Sequence, residues 1–208
     1  MKTFTNKEIS ELEHIYKINL INSATGFKSA NLIGSVSASG TTNVSIFSSV
    51  VHFGSAPPLL GMVFRPTTVA RHTYDNIKEN GYYSINHIYK SIVKDAHHTS
   101  AKYPADVSEF DKTNLEEEYK TNSNIPFVKG APVQLLMKYV NEYKIEENGT
   151  ILMLGEIQKL YIKEDIIEPN GFINLAKAEV VAINGLDSYA ETKVLERLHY
   201  QRPKQDNT

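Results

Sequence analysis

A chain of 208 residues with 41% apolar and 22% charged side chains can bury one substantial core, which excludes the disordered and fibrous classes and favours a single domain over 1–208. With 22 basic against 24 acidic residues the formal net charge is −2, so no broad field draws nucleic acid or an anionic membrane to the protein. Cysteine is absent, which removes disulfides, thiolate metal sites, iron–sulfur clusters and cysteine nucleophiles together.

The charged start MKTFTNKEISELEHIYK lacks the apolar region of a secretory signal, and no apolar run is long enough to span a bilayer, so the expected location is the cytoplasm. Thr5 and Glu8 form a capping box ahead of Ile9, Leu12, Ile15 and Tyr16, which predicts an amphipathic helix over about 6–19. Three β-compatible runs follow, 32–38, 43–51 and 59–64, broken by Ser39-Gly40 and Pro57-Pro58. Thr73 as N-cap, Asp75 in the first turn and the Asn80-Gly81 stop predict a short helix over 74–80, and 81–87 reads as a further strand.

From Ser91 to about Ala101 the pattern allows a helix. The polar stretch 103–124, with three consecutive glutamates at 116–118, reads as a solvated loop, either a lid or a surface excursion. Two long runs, 132–145 and 150–162, flank Glu146-Glu147-Asn148-Gly149, and Asn-Gly is a strong hairpin signal, so a long antiparallel hairpin is expected. The polar tail from Gln201 onward is expected to fray. Many strands without regular helix alternation argue for a mainly β, antiparallel barrel with peripheral helices rather than a doubly wound sheet. Neither a GxGxxG after a strand nor a P-loop is present.

The most informative stretch is LIGSVSASGTTNVSIFSSVVHFGSAPPLLGMVFRP followed by RHTYDNIKENGYYSINHI. Gly40 with Asn43, the serine-rich run Ser45 to Ser49, Pro57-Pro58, Arg65 and the T-x-x-N-I run from Thr73 through Asn76 to Ile77 stand in one order, and in that order they resemble the flavin reductase-like family. Weaker similarities continue through AHHTSAKYPADVSEFDKTNL, IPFVKGAPVQLLMK and GLDSYA. The resemblance implies a Greek-key, FMN-binding split β-barrel, bound FMN, and a homodimer with flavin near the subunit interface. Apolar residues in the N-terminal helix and the hairpin that one barrel would not cover point to the same dimer.

FMN carries a phosphate at one end and a flat ring at the other. Phosphate favours arginine and a helix N-terminus, which Arg65 and Arg71 with Thr73 would supply, whereas the competing reading gives both arginines surface ion pairs and leaves Thr73 as a plain cap. Serine is a poor strand residue unless its size or hydroxyl is used, so Ser45, Ser48 and Ser49 suit a ring lying across the strand; a solvated face explains Ser45 but the adjacent pair less well. In a regular strand Ser48 and Ser49 would project to opposite faces. His97-His98 does not suit a metal, because adjacent helical positions diverge by about a hundred degrees. The resemblance makes His98 a candidate for lining the substrate side of the ring and Asn43 and Asn76 part of the cofactor site, and it leaves the catalytic residues unknown.

The expected activity is an FMN-dependent NAD(P)H oxidoreductase, with NADH or NADPH as co-substrate, hydride moving from nicotinamide to flavin N5 and then to an unidentified acceptor. The alternative is an FMN-binding electron carrier or sensor with no nicotinamide site of its own.

Overall fold

The computed structural model describes residues 1–120 and 123–203. The chain opens with α1 (Asn6–Glu11) and α2 (His14–Ala24), and continues through β1 (Lys28–Ser29), β2 (Asn31–Val36), β3 (Thr42–Phe47), β4 (Val51–Ser55) and β5 (Pro58–Phe64). After α3 (His72–Asn80) come β6 (Tyr82–His87), α4 (Val93–His98), β7 (Glu117–Glu118) and β8 (Phe127–Val128). The long pair β9 (Val133–Ile145) and β10 (Thr150–Ile162) precedes β11 (Val181–Asn184) and β12 (Ser188–Glu191).

Seven strands form one antiparallel sheet in the order β3-β2-β6-β9-β10-β5-β4. The chain builds the β2–β3 hairpin on one edge, crosses to the β4–β5 hairpin on the other, and returns through α3 to set β6 beside β2, a Greek-key path. Edge strands β3 and β4 are consecutive in the chain, with only Ser48, Ser49 and Val50 between them. A link that short holds their ends within about 14 Å, so the sheet has to curl until its edges face each other across a seam. The result is a split barrel, mainly β with peripheral helices. The seam is pinned, because the Ser49 hydroxyl donates to Val63 O (3.0 Å) and accepts from Val63 N (3.1 Å), and Ser29 Oγ donates to Val50 O (3.1 Å).

Ile33, Met62, Phe64, Tyr83, Leu135, Met137 and Met153 fill the barrel, with Ile77 of α3 packed onto them. Leu32 and Val44, on the opposite face of the same strands, join Ile88, Phe110, Leu115 and Val181 in a second cluster. β2 is therefore buried on both faces along its length. Gly34 sits at its centre, where an added Cβ would come within 2.2 Å of Pro126 O and 2.5 Å of Ser84 Oγ.

The long hairpin forms as expected, interrupted by register shifts at Leu154/Gly155 and Ile157/Lys159. Gly81 ends α3 with φ 72°, the left-handed conformation that glycine adopts without a steric penalty. Other expectations need correction. The single helix over 6–19 is two, because Leu12 is extended and Glu13 caps α2 by accepting from Tyr16 N (3.0 Å). Glu11 and Glu13 would stand at the C-terminal end of the first segment, where the helix dipole disfavours negative charge. Thr5 and Glu8 do form the capping box. Ile15 and Tyr16 remain exposed while Ile9 and Leu12 are half-buried, so this chain covers the expected apolar stripe only in part.

The run 43–51 is not one strand: β3 stops at Phe47 and β4, which was missed, starts at Val51. Ser48 and Ser49 therefore lie in the bend at the seam and not on alternate faces of a strand. Thr73 is not the N-cap of α3, since Arg71 occupies that position without a side-chain cap bond, and Thr73 lies inside the first turn. The helix expected over 91–101 is a 3₁₀ turn (Lys90–Ile92) and the short α4. Residues 103–120 are not a loose excursion, because Ser108, Glu109, Phe110 and Leu115 are buried and Glu117–Glu118 pairs with β8. Of the tail expected to fray, residues 204–208 lie outside the described residues; 192–203 run without regular structure, with Arg197 paired to Glu168 and stacked on Phe172.

Candidate functional site: a cleft at the barrel seam

A cleft of about 1030 Å³ opens where β3, the Ser48–Val50 link, the end of β5, the start of α3 and the C-terminal end of α4 converge. Ligand sites of roughly 300–1,000 Å³ bury most of a drug-sized molecule, so the space accommodates a mononucleotide with room beside it. Asn43, Ser45, Ser48, Ser49, Arg65, Arg71 and Thr73 all line it. Asn76 and His98 do not. Asn76 is buried one layer behind, donating to Ser35 Oγ (3.1 Å), and exposed His98 faces Tyr103 OH (2.7 Å). His97 lines the cleft instead, its Nδ1 3.0 Å from Tyr189 OH. The two adjacent histidines thus turn to different partners, and among the described residues no group of three or more His, Asp or Glu side chains is placed to hold a metal.

At one end of the cleft, the loop from Arg65 to Arg71 leads into α3. Among the described residues neither arginine enters an ion pair; Arg71 Nε donates only to Pro66 O (3.4 Å). Because α3 has no side-chain N-cap, its first-turn N–H groups are not claimed by a capping side chain. Arg71, His72 and Thr73 all face the cleft there, so cationic and N–H donors converge on one place.

Farther along, β3 presents Asn43 and Ser45 on the face opposite Val44 and Ile46. Asn43 is held on all sides. Its Oδ1 accepts from Thr73 Oγ1 (2.7 Å) and Ser35 Oγ (3.4 Å), and its Nδ2 donates to Glu109 Oε2 (2.7 Å). Glu109 Oε2 also accepts from Val44 N (3.0 Å). Burial holds the Glu109 carboxyl above the usual carboxylate range, opposed by hydrogen bonds from Val44, its own amide and Asn43 and by nearby His72.

Sequence reasoning missed Glu109, His72, His97, Lys102 and Tyr103 as cleft residues. Glu109 lay in a stretch whose charge suggested solvation, and its apolar neighbour Phe110 was the available hint of burial. The far wall carries Tyr189 through His97, and burial with a contribution from Asp187 pushes that phenol up to about 12. A second cavity of about 360 Å³ lies elsewhere, lined by Phe27, Phe172, Leu175 and Val194, with His87 held down to about 4 by desolvation.

Residues 26–184 match the model of the flavin reductase like domain, which spans the barrel and most of the cleft. The chain belongs to the flavin reductase-like family. Its chemistry is that of a flavin oxidoreductase. A crystal structure of a split-barrel protein from Shewanella frigidimarina NCIMB 400, itself assigned to the flavin reductases, shares 43% identity over 97% of this chain and 100% of its own, with a TM-score of 0.93. Nitrilotriacetate monooxygenase component B from Bacillus cereus superposes with a TM-score of 0.82 at 19% identity, covering 95% of this chain and 98% of that one. The flavoredoxin of Desulfovibrio vulgaris (Miyazaki F) does so at 0.72 and 18% identity, covering 84% and 92%. At such identities the last two speak for the fold alone. No helix among the described residues is long and apolar enough to cross a membrane.

Proposed function

We propose that the cleft binds FMN and that the protein is an FMN-dependent NAD(P)H oxidoreductase. The observation that carries this reading is the meeting, in one cleft, of two arginines that enter no ion pair among the described residues, an uncapped helix start and a serine-lined seam. Arg65, Arg71 and the first turn of α3 would hold the phosphate, a dianion that suits charge-assisted donors. Ser45 and Ser48, small and polar, would let the ring lie close to the backbone of β3 and the seam. FMN supplies the hydride-accepting atom; this chain's residues bind and orient it, with Asn43 held rigid by Ser35, Thr73 and Glu109. Asn76 supports the same network from behind, through Ser35.

His97 and Lys102 on the α4 side leave a polar wall facing the remaining space, where a nicotinamide nucleotide would enter. His98 sits one position outside that wall. A cytoplasmic homodimer completes the proposal, with exposed Ile15, Tyr16 and Phe53 as the apolar surface a second copy would cover.

The test is the absorbance spectrum of the purified protein, followed by anaerobic mixing with NADH or NADPH. A yellow protein that releases FMN on denaturation and bleaches rapidly with either nucleotide is expected. Flavin that is chemically reducible yet unbleached by both would replace the reductase with an electron carrier. Light scattering that reports only a 23.4 kDa particle would remove the dimer.

A further inference from the structure

Glu109 is the one buried acid among the described residues lining the cleft, only 4% exposed, whereas Asp187 is on the surface. Among the described residues no lysine or arginine neutralises it. The two N–H groups of other residues that hold it, Asn43 Nδ2 and Val44 N, bond to the same oxygen, Oε2. Oε1 takes no hydrogen bond from any other described residue, and it is not among the sealed, unpartnered atoms of the interior. Of the two cavities, the residue lines the cleft and not the smaller one.

A desolvated carboxyl oxygen at a ligand site disfavours phosphate beside it and, in its ionised form, accepts hydroxyl protons strongly, because O–H···O⁻ bonds are charge-assisted. Its position agrees with the second role. Asn43, which Glu109 holds, is bonded on one side to Thr73 in the first turn of α3 and lies two residues before Ser45 on the same face of β3. Glu109 is therefore joined through Asn43 to the segment that links the cationic end of the cleft to its serine-lined part.

We propose that Glu109 Oε1 accepts a hydrogen bond from a hydroxyl of the flavin's ribityl chain, and so sets which way round the flavin enters. This rests on the flavin reading above. A ligand with phosphate at the arginines and its ring at the serines has to run its polyol past Glu109, and the reversed orientation would bring a phosphate dianion against a buried carboxylate. Ribose hydroxyls of a nicotinamide nucleotide share the same chemistry, so the experiment separates the two sources.

Dissociation constants for FMN, riboflavin and lumiflavin, which carries the ring without the ribityl chain, are measured by fluorescence titration on the wild type and on Glu109→Gln. The Gln carbonyl takes the place of Oε2 and keeps both structural bonds, while its NH₂ puts a donor where Oε1 was. We expect FMN and riboflavin to weaken together by roughly ten- to a hundredfold, the loss of one hydrogen bond to a charged group, with lumiflavin within about twofold of wild type. Riboflavin analogues lacking one ribityl hydroxyl at a time, titrated on the unmutated protein, are expected to show one position that loses about tenfold, independently of how the variant folds.

Equal weakening of lumiflavin overturns the proposal, since Glu109 would then act through the ring site. Unchanged binding of all three flavins with a raised KM for NADH assigns the carboxylate to the nicotinamide ribose and overturns it as well. If the wild type binds none of the three, the flavin reading itself fails, a result distinct from either.

Discussion

The hairpin β9–β10 and the polar knot around Asn43 are held together in opposite ways. The hairpin joins neighbours in sequence, thirteen residues on each side of one turn, and gains its stability from a ladder and an apolar inner face. The knot joins Ser35, Asn43, Thr73, Asn76 and Glu109, five polar residues from four separate segments, by side-chain hydrogen bonds in a buried layer. Polar interiors of this kind are costly when incomplete, because each orphaned partner keeps its desolvation cost. The hairpin tolerates loss gradually; the knot holds a shape that its residues maintain only jointly.

The largest effect should come from breaking the barrel beneath both. Gly34→Ala forces a methyl against Pro126 O, a backbone atom that cannot swing away, and should cost about 3 kcal/mol or prevent folding, as read by urea denaturation. Arg65→Ala touches neither region and should leave stability alone. It should weaken FMN by about 1.5–3 kcal/mol, roughly ten- to a hundredfold, and riboflavin hardly at all, in a titration of both ligands. Equal losses for the two would take the phosphate away from this end of the cleft.

Asn43→Ala sharpens the contrast directly. It strands Thr73 Oγ1 and removes the side-chain donor to Glu109, so it should lower stability by about 1–3 kcal/mol. Tyr143→Ala, on the exposed distal hairpin, should stay within about 0.5 kcal/mol in the same denaturation series. Similar costs at the two sites would erase the distinction between ladder and knot.

The remaining effect is one of pH. His87, which lines the smaller cavity, is held neutral down to about 4, against 6.5 for the free side chain. Between those values the unfolded chain binds a proton that the folded one refuses, so this contribution to stability is intact above 6.5 and is lost as the pH falls toward 4. After allowance for partial exposure the loss is on the order of 1–2 kcal/mol. His87→Gln should flatten that part of a plot of thermal midpoint against pH.

The same contrast decides what could be read in the sequence. The hairpin announces itself locally, through alternating Val, Leu and Tyr and through Asn148-Gly149; only its two register shifts leave no trace there. The end of α3 was equally plain at Gly81. Its start was placed two residues late, because Thr73 has the chemistry of a cap but spends its hydroxyl on Asn43, thirty residues away. The seam was hidden for a related reason: Val50 and Val51 continue a β-like run, and nothing local shows that the chain changes edges between them. Seven of the expected cofactor residues lie on the cleft, since residue type and order carried them. Glu109 was out of reach, because its burial depends on β3 folding over it from more than sixty residues upstream.

The bond from Val44 to Glu109 bears on how this protein behaves in a crowded cell. β3 is the last strand on its side of the sheet, and an outward-facing amide on such a strand is what a foreign strand pairs with first when chains aggregate. Here that amide is already taken, and the 3₁₀ turn Glu109–Lys112 packs along β3 where an added strand would have to run. An intruding backbone would have to displace a carboxylate and leave it buried without its partners. The turn that frames the cleft also ends the sheet.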